Sequence, residues 1–357
     1  MTQSMLRFKF LKTALFCGLL AIIAFAACKK DSSPAPVPVI KTALQDTITA
    51  SLAIYNSTAE GSKPGQYETG AKATLKTAID AANAILANAA STQQEITSAA
   101  ANLHAAIVTY QSHYITEISA ANLIGFWKFN GNTKDSSGHA HDGVATTGHA
   151  FYGAGVLVAA NDRFGRAGMA YHFDKGANVE IPYASTLNPQ QMSISLWSKK
   201  SSVVRTLNAD TYTLTSLNRW NGFKLQYQSA NKIFFTVKGV NLTDTAYYDR
   251  DDEVAVLDND VWYHVVVTFK PGEMDFYING DLVKSWTNTP NAAITLGTPI
   301  NFVIGQDLPT NKYLTVDGDF QVAWGGFFTG DIDDVMFYNI ALTGPQVKSI
   351  NTNQKTL

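Results

Sequence analysis

The feature that most limits what this chain can become is a change of hydrophobic period near residue 120. Before it, apolar side chains recur every three to four residues. Leu44, Ile48, Leu52 and Tyr55 form one set; Leu75, Ile79, Ala82 and Leu86 a second; Ile96, Ala100, Leu103, Ile107 and Tyr110 a third. That spacing places each set on one face of a helix. After residue 120 the period is two. Met192, Ile194 and Leu196 alternate with Ser193, Ser195 and Trp197, and Val265, Val267 and Phe269 alternate with His264, Val266 and Thr268. Met274, Phe276 and Ile278 continue the pattern. A chain that makes this switch once is multidomain, α first and then all-β.

The punctuation agrees. Gly61 and Pro64-Gly65 separate the first helix from the second, and Thr92-Gln93-Gln94-Glu95 is a capping-box pattern that starts the third. Three amphipathic helices with short connections predict a small antiparallel three-helix bundle over residues 40–115. In the second half, Pro271-Gly272 and Asn279-Gly280 are turn signals, and Asn-Gly is the preferred pair for a type I′ hairpin. Phe223–Gln228 and Lys232–Lys238 read as another hairpin. Many short strands without intervening long helices predict an antiparallel β-sandwich over residues 120–357. Thr343-Gly344-Pro345-Gln346 caps one short terminal helix.

A hydrophobic content of 46% and an aromatic content of 11% suffice for packed cores. The formal charge of −2, with no basic run after Lys30, excludes nucleic acid as an expected partner. Before that point lie Arg7, Lys9 and Lys12, then an apolar run from Ala14 to Ala27. The run is shorter than the ~20 residues of a spanning helix and ends in small residues, the pattern of an export signal. Phe25-Ala26-Ala27-Cys28 resembles a bacterial lipobox, and Cys28-Lys29-Lys30-Asp31 resembles Bacteroidetes-type lipoproteins. The resemblance implies a signal peptide over residues 1–27, lipidation of Cys28, and an outer-membrane lipoprotein exposed at the cell surface. Cys17 falls in the removed segment, so no intrachain disulfide is expected. Residues 28–39 carry three prolines and no apolar period, which suits an extended tether.

Two further resemblances bear on the modules. Gly65-Gln66-Tyr67, Gly70-Ala71-Lys72, Leu75, Ala78-Ile79 and Ala81-Ala82 resemble the FIVAR-like helical modules of bacterial surface and carbohydrate-active proteins. Such modules are spacers or glycan binders; exposed Thr, Ala, Asn and Gln favour a spacer here. Leu123-Ile124-Gly125-Phe126-Trp127-Lys128-Phe129-Asn130-Gly131 and Asp135-Ser136-Ser137-Gly138 resemble the opening of a laminin-G-like, concanavalin A-like jelly roll. The likeness continues through Asp162-Arg163-Phe164-Gly165, Ala170-Tyr171-His172-Phe173-Asp174 and Trp262-Tyr263-His264-Val265. It closes on Gly330-Asp331-Ile332-Asp333-Asp334-Val335. The resemblance implies a lectin/glucanase sandwich, a fold that hosts lectins, adhesion modules and some hydrolases.

Within that frame, Trp127, Trp197 and Trp262 are expected in the core, and Asp174 and Asn279 in turns. The candidate glycan-contacting aromatics are Trp220, Tyr227, Tyr247, Tyr248, Trp324 and Phe327, which lie in or beside turn-rich segments. The resemblance also implies a structural Ca²⁺ where the terminal strands meet, with Asp135, Asp142, Asp331 and Asp333 as candidate ligands. His139-Ala140-His141 lacks a third ligand for zinc and reads as a solvated loop. No alternating Glu/Asp strand, Gly-x-Ser-x-Gly or His-Glu-x-x-His occurs; Glu273-Met274-Asp275 comes nearest to a carboxylate pair. The expected function is therefore non-catalytic capture of a glycan or polysaccharide beside other outer-membrane uptake proteins. The alternatives are a protein-binding assembly subunit without a sugar site and, third, a glycoside hydrolase.

Overall fold

Three helices open the described chain: α1 (Thr42–Ser57), α2 (Ala71–Ala87) and α3 (Gln93–Ser112). The computed structural model describes residues 38–203, 212–240, 245–254, 256–289, 293–294, 299–313 and 325–356. The expected signal peptide, most of the tether, Cys28 and Trp324 lie outside them. The periodic residues do meet: Leu44, Ile48, Leu75, Ile79, Ala82, Ile96, Leu103, Ile107 and Tyr110 form one buried cluster. Both halves of the Thr92–Glu95 capping box are made. Tyr67 stacks on Tyr110 with ring centroids 4.2 Å apart, and the Tyr110 hydroxyl meets Thr58 Oγ1 at 2.6 Å.

The rest of the chain is two antiparallel sheets. The first, sheet I, contains β1 (Leu123–Trp127), β3 (Val158–Ala160), β4 (Ala170–Phe173), β6 (Met192–Lys200), β11 (Tyr263–Lys270), β12 (Glu273–Ile278), β13 (Asp281–Trp286) and β16 (Gly330–Tyr338). Sheet II contains β2 (Val144–Thr146), β5 (Asn178–Ile181), β7 (Tyr212–Leu217), β8 (Phe223–Gln228), β9 (Lys232–Val240), β10 (Thr245–Asp251), β14 (Ala293–Ile294) and β15 (Phe302–Ile304). Sheet I runs β13-β12-β11-β6-β16-β4-β3 with β1 also on β16. Sheet II runs β10-β9-β8-β7-β15-β5-β2 with β14 on β9. This is the expected concanavalin A-like jelly roll. Its core interdigitates Phe223, Phe235, Leu225 and Phe302 of sheet II with Ile194, Leu196, Val267, Phe276 and Phe337 of sheet I. Phe302 stands 5.3 Å from Phe337 and 5.8 Å from Trp127.

The two outer faces differ. On sheet I the residues alternating with the core, among them Val266, Tyr277 and Tyr338, are buried under α4 (Gly344–Gln354) through Leu342 and Val347. Trp197 belongs to this layer, its indole N–H donating to Gln354 Oε1 at 2.8 Å. Trp127 is fully buried as expected, whereas Trp262 is only half-buried, beside Lys199 Nζ at 5.4 Å. The Asn279-Gly280 turn has φ of 54° and 87°, the double left-handed geometry of a type I′ hairpin joining β12 to β13. Asp174 closes its turn by accepting from the Lys175 N–H at 2.9 Å.

Candidate functional site

The outer face of sheet II is buried without being apolar. Phe223, Leu225 and Tyr227 of β8 point into the sandwich, so Lys224 and Gln226 point outward. Register extends the outward set in rows. Ser216, Lys224, Thr236 and Asp249 lie opposite one another across β7, β8, β9 and β10; Thr213, Gln226, Phe234 and Asp251 form the next row. On an uncovered face such residues would be solvated. Here Thr213, Ser216, Lys224, Gln226, Phe234 and Thr236 are all buried.

The turn between β7 and β8 shapes one wall. Asn218 and Arg219 both take positive φ, 63° and 50°, a conformation that costs energy in residues other than glycine. This reversal leads into a short 3-10 turn, Arg219–Asn221, that carries Trp220. The indole is 37% exposed, lies edge-on to Phe234 at 6.2 Å, and has Lys224 Nζ 3.8 Å from its centroid. Farther along, Tyr247 is 47% exposed opposite Lys238, whose ammonium donates to Asn221 Oδ1 at 3.1 Å.

Charge on this face is unevenly satisfied. Arg219 donates through Nε to Asp307 Oδ2 at 2.6 Å, and the Tyr313 hydroxyl donates to the other Asp307 oxygen. Burial works against the Arg219 charge, but Asp307 more than restores it and raises the guanidinium pKa. Arg219 Nη2 and Thr213 Oγ1 are buried without a hydrogen-bond partner among the described residues. Thr236 Oγ1 donates to Asp249 Oδ1 at 2.5 Å. Lys224 is 2% exposed and forms no ion pair among the described residues. Burial pushes its ammonium down to about 8, helped by Arg219 and resisted by Asp307 and Asp249. Aromatic faces, hydroxyls and unmatched donors are the chemistry that grips a polyhydroxylated ligand.

Of the aromatics expected to contact ligand, Trp220 and Tyr247 reach this face. Tyr227 does not: it points into the core, its hydroxyl 2.8 Å from Ser198 Oγ, because the β8 alternation directs it inward. Phe327 is likewise buried in the sandwich core, 4.9 Å from Tyr152, and Tyr248 is buried beside its outward neighbour Tyr247. Trp324 lies outside the described residues. Lys224, Thr213, Phe234 and Arg219 were not anticipated. The available signal was a lysine placed between Phe223 and Leu225 in a central hairpin, where a buried outer face makes charge informative.

The four acids expected to hold Ca²⁺ do not assemble into one site. Asp135 accepts from the backbone N–H groups of Phe126, Ser137 and His141 and from the Ser137 hydroxyl. Burial opposes its charge, but those donors outweigh it and hold the carboxyl below its ordinary range. Asp142 accepts from the Asp135 N–H and Lys134. Asp331 lies between His172 at 2.6 Å and Lys199 at 2.7 Å. Asp333 is bound by Arg163 at 2.7 Å. Each acid is committed to protein donors, and no three His, Cys, Asp or Glu among the described residues are grouped as metal ligands. The His139–His141 loop holds itself, with His141 Nδ1–H donating to the Ile124 carbonyl at 2.6 Å.

Residues 173–348 match the family model Laminin_G_3, described as the concanavalin A-like lectin/glucanases superfamily. A gellan lyase from Bacillus sp. is 39% identical over 80 residues, 22% of this chain; the match spans only 3% of that enzyme. Among solved structures, domain 4 of AbnA, a GH43 extracellular arabinanase from Geobacillus stearothermophilus in complex with arabinotriose, is similar at 20% identity and a TM-score of 0.47. That match covers 64% of this chain and 98% of that domain. The botulinum neurotoxin type G receptor binding domain is similar at 18% identity and a TM-score of 0.43, covering 65% and 51% of the two chains.

Proposed function

We propose that this chain is a surface lipoprotein that captures glycan, without turning it over, on the outer face of sheet II. One observation carries the reading: beside the partly exposed ring of Trp220 the face buries Lys224, together with Thr213 Oγ1 and Arg219 Nη2, which have no hydrogen-bond partner among the described residues. A face that served packing alone would be apolar, because each buried unpaired polar group costs about 1–3 kcal/mol. Sugar hydroxyls would satisfy those groups while a pyranose ring lies on the indole. The match to a lectin/glucanase family model supports the same ligand class. The two carboxylates nearest Lys224, Asp249 and Asp307, are each tied to a neighbour, which favours binding over acid–base chemistry.

Trp220→Ala and Tyr247→Ala test the reading on a glycan array. Both are expected to lose the signal of the parent chain with unchanged circular dichroism. A parent chain that binds no glycan but co-purifies with a membrane protein would favour the assembly-subunit alternative. The anchor at Cys28 is proposed from the lipobox resemblance. Cys28→Ala should move the chain out of the membrane fraction and abolish incorporation of labelled fatty acid.

A further inference from the structure

On the sheet I side of the sandwich, where α4 ends at Gln354, a cavity of about 340 Å³ opens between β1, β16 and the Asp162–Arg166 turn. An irregularity in β16 builds its floor. Asp333 pairs with Trp197 and Met336 with Ser195, and since Trp197 and Ser195 face outward, so do Asp333 and Met336. Residues three apart on a regular strand point to opposite faces. The register shift between these two, with Asp334 at a φ of 46°, brings both to the outer side. Such a φ is strained for a residue other than glycine, and strain of this kind gathers at ligand sites. Phe126 of β1 pairs with Met336, so its ring joins the same wall. Lys128, Asn130 and Arg166 supply the exposed walls. The Lys128 ammonium stands 5.1 Å from the Phe126 centroid, and Asp162 steadies Arg166 through Nε at 2.6 Å. Burial raises the Asp334 pKa while Arg163, Lys128 and Arg166 act the other way, so both exposed cations lie within electrostatic reach of that acid.

The lining thus mixes an aromatic face and a thioether with an amide, two carboxyls and two cations. A charged ligand would be drawn to one set of these groups and repelled by the other. A neutral polyhydroxylated ring suits them all. Its hydroxyls donate to Asp334 and accept from Lys128 and Arg166 while its C–H face lies on Phe126. A polar cavity of this kind is hydrated in solution, and sugar hydroxyls reproduce the hydrogen bonds of the water they displace. The volume sits at the small end of ordinary ligand pockets (~300–1,000 Å³), which fits one or two sugar rings better than a long chain. We infer that this cavity is a second carbohydrate site, distinct from the face of sheet II, that takes a neutral saccharide of one or two rings.

The test is isothermal titration calorimetry of the purified full-length chain, in a detergent without a sugar headgroup, with cellobiose, maltose, laminaribiose and lactose. At least one is expected to bind with a Kd below about 1 mM. Lys128→Ala and Asn130→Ala, both at exposed positions, should each weaken that binding roughly fivefold or more with unchanged circular dichroism. Trp220→Ala should leave it as it is. Oxidising the primary hydroxyl of the non-reducing ring to a carboxylate should not tighten it. Failure of all four disaccharides to bind, indifference to both Lys128→Ala and Asn130→Ala, or tighter binding of the carboxylated sugar overturns the inference. Binding lost in Trp220→Ala but kept in Lys128→Ala places the sugar on sheet II, which overturns this site and upholds the other. Binding kept in Trp220→Ala and weakened in Lys128→Ala upholds this site, whatever a glycan array shows for the face of sheet II.

Discussion

Arg163→Met is expected to be among the most damaging single changes outside the sandwich core, and its effect should depend on pH. The guanidinium donates Nη1 to Asp333 Oδ2 at 2.7 Å and Nη2 to Asp334 Oδ2 at 2.9 Å, and it bonds the Gln354 carbonyl through Nε and Nη2. It also stacks over Trp197 at 4.6 Å. All three charged side chains are largely buried, Arg163 at 5%, Asp333 at 3% and Asp334 at 14% exposure. Two acids share one base; burial raises both above the ordinary range, and the Asp334 carboxylate raises Asp333 further. Methionine fills the stem but leaves the acids without a cation. Removing one partner of such a buried pair costs about 3–5 kcal/mol. For a domain of this size each kcal/mol moves Tm by roughly 2–4 °C, so a fall of roughly 10 °C is expected at pH 7. Because the folded-state affinity for protons is raised, the acids favour the fold most at low pH. They lose that contribution as pH rises through their folded values. The deficit of Arg163→Met should therefore be smaller at pH 4.5 than at pH 7, because the carboxyls take up protons as pH falls and then need the base less. Differential scanning calorimetry at the two pH values decides it. A shift under about 3 °C at pH 7, or an equal deficit at both, refutes the argument.

Phe302→Ala removes a ring packed against Phe337, Trp127 and Phe223 and should cost about 3–5 kcal/mol in urea unfolding. A cost below about 1 kcal/mol would mean the sheets close over the gap. His172, hydrogen-bonded to Asp331, has its pKa raised chiefly by that bond. It supports the fold below its ordinary pKa, and this support is lost as pH rises through the raised value. His172→Gln should thus flatten the dependence of Tm on pH around neutrality, and an unchanged profile would show the pair contributes nothing.

The period change at residue 120 made both modules legible, because burying one helical stripe and one strand face leaves its mark on every second or every third to fourth residue. The capping boxes at Thr92 and Thr343 and the Asn279-Gly280 hairpin were legible for the same local reason. Tyr227 and Phe327 were misread because an aromatic near a turn looks alike in sequence whether it points out or in. Only the alternation with Phe223 and Leu225 separates the two cases, and it directs Tyr227 to Ser198. Lys224 escaped for the converse reason. An outward lysine on a strand is ordinarily solvated, and strand alternation does not show that the Trp220 ring lies 3.8 Å from this ammonium or that Asp307 and Asp249 act on its charge. The four candidate calcium acids turn on a similar point. Spacing supplies oxygens, but it does not show that Ser137, Lys134, His172 and Arg163 already occupy them.

The unequal treatment of the two sheets is the reason the proposed glycan face lies on sheet II. Sheet I buries its outer residues under α4, and the helical module fastens to that same layer. Ser349 Oγ and Asn353 Nδ2 donate to the Ser62 carbonyl at 2.6 and 3.1 Å, and Gln346 Nε2 donates to Thr116 Oγ1 at 3.0 Å. The helices thus lie on the side of the sandwich opposite Lys224 and Trp220, which suits the proposed role of spacer. Each bond contributes about 0.5–1.5 kcal/mol, so the joint is modest. Ser349→Ala with Asn353→Ala should loosen it, broadening the particle in small-angle scattering while leaving the Tm of the sandwich and its glycan affinity in place. Lost glycan binding in that variant would contradict this separation, because no residue at the joint touches the face of sheet II.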